Sequence, residues 1–136
     1  MKNVIKDILL DEFQDEVENS LIRHKSILDT LTKFQESNSR VNRAIAKAVT
    51  SCGCIEVNAG KQHMPTDKDV LEDLNKCLSS HLQGKLCDNC RERIEFEIGN
   101  NIFYLTALCN LLDINIYDIL IREADKITTL GKYNLR

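Results

Sequence analysis

Proline occurs once in this chain of 136 residues, at Pro65, and glycine five times. Breakers of that kind divide a small β protein into short strands and turns, so a sequence this poor in them is driven towards long helices. The apolar residues agree. Ile5, Leu9, Phe13, Val17, Leu21, Leu28 and Leu31 recur at helical intervals and predict one amphipathic helix over residues 4–31. Asp11, Glu12, Asp15, Glu16 and Glu18 fill its other sides and read as a solvated face. A second helix is expected over 33–51, with Phe34, Val41, Ile45 and Ala48 as its core stripe. Residues 66–82 predict a shorter helix, capped by Thr66, favoured at its positive end by Asp67 and Asp69, and stopped by Gly84. The longest pattern covers 88–112, through Ile94, Ile98, Ile102, Leu105, Leu108, Cys109 and Leu112. After a break at "LDIN", Asn115 is placed to cap a last helix over 116–129. Its Ile116, Ile119, Leu120, Ala124 and Ile127 are expected to face inwards, and Gly131 to end it. No strand pair is legible. The expectation is one all-α domain over 1–136, about five helices in a bundle, with an irregular cysteine-containing loop at 52–66.

Composition excludes some roles. The net charge of −3 argues against the broad basic face of a general nucleic-acid binder. No apolar run approaches the ~18 residues that span a bilayer. The opening "MKNVIKDILLDEFQDEV" carries acids and lacks a small-residue cleavage pattern. These features predict a cytoplasmic protein with neither a nucleic-acid nor a membrane partner.

Six cysteines are many for a chain expected in a reducing compartment, where clustered thiols read first as metal ligands. Cys52 and Cys54 are spaced C-x-C; Cys87 and Cys90 are spaced C-x-x-C. Two chelating pairs brought together by a fold supply four thiolates, the donor set of structural zinc. Gly53 lets the backbone bend between the first pair. The second pair falls at the start of the longest helix, where the dipole favours thiolates, and Lys85, Arg91 and Arg93 can offset their charge. Soft thiolates make zinc the first choice and an iron–sulfur cluster the second, with merely adjacent thiols or a reversible disulfide as the other reading. His63 or His81 can substitute for one ligand. Cys77 and Cys109 are expected as small core residues.

Two polar features remain. Lys33, Arg40 and Lys47 recur every seven residues beside Arg43, a basic stripe that is either a solvated face or a set of phosphate ligands. In "EFEIGNNIFYLTAL", Glu97, Asn100, Asn101 and Tyr104 share one side of a helix.

The stretch "EIGNNIFYLTALCNLLDINIYDIL" resembles the closing helices of the MazG-like all-α nucleoside triphosphate pyrophosphohydrolases. Their pattern, roughly E-[ILV]-[GA]-D-x-[LI]-F-Y-L, is matched by Glu97, Gly99, Ile102, Phe103, Tyr104 and Leu105, with Asn100 at the family's aspartate. The family's earlier E-x-x-E helix has its best counterpart in "KFQESNSRVNRAIAK", where Glu36 carries one acid and the second falls on Ser39 or Arg40. The resemblance implies a helical bundle completed by a second copy of the chain. It also implies a nucleotide ligand and a magnesium-binding acidic site with Glu36, Glu97 and Asn100 as candidate catalytic positions. The missing carboxylates argue for weak or no hydrolysis, since metal-assisted attack by water needs the acids that hold the metal. A non-enzymatic regulatory or interaction protein, stabilised by a metal, is the other expectation. In either case Lys33, Arg40, Arg43 and Lys47 are the candidate phosphate ligands.

Overall fold

A computed structural model of the chain describes residues 2–23, 25–64 and 77–131, with the side chains of 2–7 left aside. The described residues form four α-helices and one two-stranded sheet: α1 (Lys2–Ser20), α2 (Ile27–Lys47), β1 (Ile55–Val57), β2 (Leu82–Gly84), α3 (Asp88–Leu111) and α4 (Ile116–Leu130). The chain is mostly helical, as expected, and the differences have local causes.

The first predicted helix is in fact two. The chain leaves α1 after Ser20 and re-enters a helix at Ile27. Ser26 adopts an extended conformation, accepts a hydrogen bond from the Leu28 N–H at 3.3 Å, and is followed by Asp29 in the first turn. Ser-x-x-Asp is a helix-start signal, and it overrides the apolar period that runs on through Leu21 and Leu28. Leu28 is consequently 71% exposed rather than part of a buried stripe.

The strand pair was not legible because three residues are too few to show alternation. β1 and β2 run antiparallel with Ile55 opposite Gly84. Gly84 is therefore a strand residue and not a helix stop. Of the helix expected over 66–82, residues 66–76, including Thr66, Asp67 and Asp69, lie outside the described residues; Cys77 is helical and exposed, not a core residue. Cys109 is buried as expected.

α2 packs along α3, and α1 crosses onto α3 and α4. Asn101 on α3 donates to Ser37 Oγ at 3.0 Å and to Asn38 Oδ1. Ala48 after α2 is buried with Ile94 of α3, so the two helices run antiparallel. Ser37 and Thr106 are buried and spend their hydroxyls on the Phe34 and Ile102 carbonyls, which removes the cost of sinking them. Between α3 and α4 the chain bends by 107°. Asn115 caps α4 by accepting from the Asp118 N–H at 3.1 Å, and Gly131, at φ 50°, ends it. Ile116 is buried, whereas Ile119, Leu120, Ala124 and Ile127, expected to face inwards, are exposed in the single chain. No single helix among the described residues is long and apolar enough to cross a membrane.

One side chain fastens α1 to that bend. Gln14 donates to the Ile114 carbonyl at 2.8 Å and accepts from the Ile116 N–H at 3.0 Å, while Asn110 donates to the Gln14 carbonyl at 3.0 Å. Replacing Gln14 with Ala strands the Ile116 N–H and the Ile114 carbonyl at a helix start. The expected loss is about 1–2 kcal/mol in chemical denaturation, with faster amide exchange at residues 114–118.

Candidate metal centre and adjoining groove

The two cysteine pairs are joined by local backbone geometry. α2 ends in a widened turn of π-helix at Ala48–Cys52. Gly53, at φ 79°, closes it by donating to the Ala48 carbonyl at 2.9 Å, and the chain turns directly into β1. β2 then returns alongside β1 and delivers Cys87 to the start of α3. The approach is close at Gly84. A Cβ there would lie 2.6 Å from the Cys54 carbonyl oxygen, and φ is 88°, so only glycine fits. Beneath the turn, Ala48, Ile55 and Ile94 form a small buried cluster with Leu86, Cys54 and Cys90 packed against it.

The result is that the Sγ atoms of Cys52, Cys54, Cys87 and Cys90 all lie within 4.8 Å of one another, and these four residues can hold a metal ion. A tetrahedral ion with metal–sulfur bonds of about 2.3 Å needs its sulfurs about 3.8 Å apart, and the Cys52–Cys87 separation is 3.8 Å. The space suits one ion; several irons placed among the thiolates would force them further apart. The surroundings favour thiolates. Cys87 is the N-cap of α3, and its sulfur accepts from the Cys90 N–H at 3.4 Å. That N–H, with the Cys90 thiol, holds the Cys87 thiol down at about 7, while Cys90, as donor to Cys87, is pushed up to about 12. The backbone N–H at the start of α3 thus favours negative charge on the Cys87 sulfur. Neither His63 nor His81 joins this group, the only such grouping among the described residues. His81 instead uses its carbonyl to accept from the Asn58 N–H at 2.8 Å, extending the hairpin beyond its paired residues.

A groove of about 640 Å³ opens between α2 and α3 beside the cysteines. Arg40, Arg43, Lys47 and Ser51 line it from α2 and its terminal turn; Asn89, Arg93, Phe96 and Glu97 line it from α3; Cys52 and Cys90 form the end wall. Each set is one helix face by spacing. Three of the four predicted phosphate ligands thus line one groove, which Glu97 also lines. Lys33 is not among the lining residues: it pairs with Glu36 Oε2 at 3.1 Å. Glu36 Oε1 takes Arg40 at 2.9 Å. The guanidinium of Arg40, then the ammonium of Lys33, hold the Glu36 carboxyl below the usual range. Glu97 Oε2 is buried with no hydrogen-bond partner. Asn100 is half-buried on α3 and is not part of the groove lining. Arg93, assigned from sequence only to balancing the thiolates, and Phe96, not singled out at all, are the additions. Their spacing from Cys90 and Glu97 was the available signal.

No family model, curated protein or solved structure matches this chain.

Gly84→Ala should separate β2 from Cys54. It is expected to lower stability by more than 1 kcal/mol, because the clash is with backbone and the φ is unfavourable, and to weaken metal retention in competition with a chromogenic chelator. An ordinary Gly→Ala gain in stability would contradict this account of the hairpin.

Proposed function

We propose that this chain is a zinc-stapled, MazG-like helical protein that binds a nucleotide between α2 and α3 and hydrolyses it weakly or not at all. The cysteines take zinc in this reading because four thiolates around one small tetrahedral space are its preferred donors. Four thiolates fill the ion's coordination sphere, so its role is structural, tying the 52–66 segment to the start of α3. A cytoplasmic location fits reduced thiols.

The observation that carries the nucleotide reading is the groove's charge. Arg40, Arg43, Lys47 and Arg93 line it against the single carboxylate of Glu97. Guanidinium groups hold phosphate oxygens bidentately without a metal. The observation that argues against hydrolysis is Glu36, whose two oxygens are each taken by a cation, Lys33 and Arg40. Such a carboxylate is poorly placed to hold magnesium, and with Asn100 neutral the candidate catalytic set has one unpaired acid, Glu97. Magnesium enters only if the chain is a hydrolase.

A second reading is a non-enzymatic regulatory or interaction protein on the same zinc-held scaffold. The exposed apolar residues of α4, including Ile119 at 41%, Leu120 at 47% and Ile127 at 56%, favour it and favour a homo-oligomer.

Calorimetry with nucleoside triphosphates in magnesium-free buffer, alongside a pyrophosphate-release assay with magnesium or manganese, tests these readings together. Binding without magnesium, weakened about tenfold or more by Arg43→Ala, and negligible pyrophosphate release are expected. Absence of binding supports the interaction protein. Strictly magnesium-dependent binding with turnover abolished by Glu97→Gln would restore an active pyrophosphohydrolase.

A further inference from the structure

Phe96 is the one aromatic side chain in the groove lining. It is 67% exposed, yet it lies on the α3 face that also carries Arg93 and Glu97 into the groove. Exposure by itself is ordinary in this chain, where Leu28 is 71% exposed; it is the place of the ring on the groove wall that makes its face available to a ligand. Here the neighbouring groove walls are cationic, so a purely apolar cover would have to desolvate guanidinium groups.

The charge pattern along the groove fixes a direction. α2 and α3 run antiparallel, so Arg40 lies towards Glu97 and Phe96, and Lys47 lies towards Asn89 and the cysteines. Glu97 stands at the first end and the cysteines at the other. Arg43, Lys47 and Arg93 occupy the stretch between them. An anion is stabilised in that middle stretch and repelled by Glu97. A ligand that uses the whole groove therefore carries its charge in the middle and something flat and uncharged at the Phe96 end.

We infer that Phe96 is a stacking platform, and that the groove is built for a phosphate ester bearing a flat heteroaromatic ring, with the phosphates on Arg43, Lys47 and Arg93. This rests on the groove being an anion site, as proposed above, and adds which part of the ligand each end recognises. Base–aromatic stacking tolerates any ring with a π face, so discrimination among bases is weak and discrimination against ring-free phosphates is strong. Glu97 acts as a positioning residue: its negative charge keeps phosphate away from the Phe96 end, so the ring and not the phosphate settles there.

The test compares inorganic triphosphate with adenosine and uridine triphosphates by calorimetry in magnesium-free buffer, on the full chain with its metal. Both nucleotides should bind about tenfold or more tighter than triphosphate. Phe96→Ala should remove that advantage and leave triphosphate affinity unchanged; Phe96→Trp should preserve it. Phe96 is exposed, so both variants should keep native helicity and metal content, which are measured alongside. Arg93→Ala should weaken all three ligands. If triphosphate binds as tightly as the nucleotides, or Phe96→Ala leaves the difference intact, the platform assignment is wrong while the anion site stands. If none of the three binds, the anion site falls and the platform with it. Preference for a single-stranded oligonucleotide over both nucleotides would overturn the small-ligand assignment.

Discussion

The convergence of four cysteine sulfurs is the constraint on which the rest of this structure depends. Thiols brought this close gain little from one another; in the proposed reading a metal ion held by the four makes their proximity favourable. The segment between Cys54 and Cys87 is long, and closing it costs chain entropy. The described contacts within it are modest: two three-residue strands, the reach of Gln62 to the Ser79 backbone, and the Asn58–His81 bond. The buried cluster of Ala48, Ile55 and Ile94 is small. A metal cross-link, as proposed, would supply what such a core cannot. It would also tie the end of α2 to the start of α3, and those two helices make the groove.

The groove joins two chemistries that oppose each other electrostatically. Four thiolates on the proposed divalent ion would carry a net charge of −2, and Glu97 adds a carboxyl group at the opposite end. Arg43, Lys47 and Arg93 line the groove between them and would balance part of that charge. What remains available to a ligand is the surplus. Arg40 contributes least, since its guanidinium is already committed to Glu36 through Nε at 3.1 Å and Nη2 at 2.9 Å. At the α2–α3 contact, one amide of the polar motif on α3 has a structural part. Asn101 is spent on Ser37 and Asn38, which joins the two helices.

Much of this was legible from residue spacing. The periods of α3 and α4 and the Asn115 cap are strong because they are long and locally consistent. The cysteine site was legible because ligand chemistry requires specific residues at specific spacing, whatever lies between them. The split between α1 and α2 was missed because the apolar period continues across it, and only Ser26 and Asp29 announce the new helix. The strands were missed because three residues carry no period, and Gly84 looks like a helix stop until the Cys54 carbonyl is seen beside it. Phe96 could not be read from the sequence as exposed: an aromatic in a helix is taken as core until its neighbours are known. The outward residues of α4 present the same difficulty, because a pattern shows which side is apolar and not what covers it.

The central claim is that one zinc ion, held by Cys52, Cys54, Cys87 and Cys90, organises this fold. X-ray absorption at the metal edge, on protein purified without added metal and quantified per chain, tests it most directly. The account predicts one zinc per chain in a shell of four sulfurs at about 2.3 Å, lost when Cys87 is replaced by Ser. A metal-free protein that stays fully folded with all four thiols free, or a shell containing nitrogen or oxygen ligands, would contradict it.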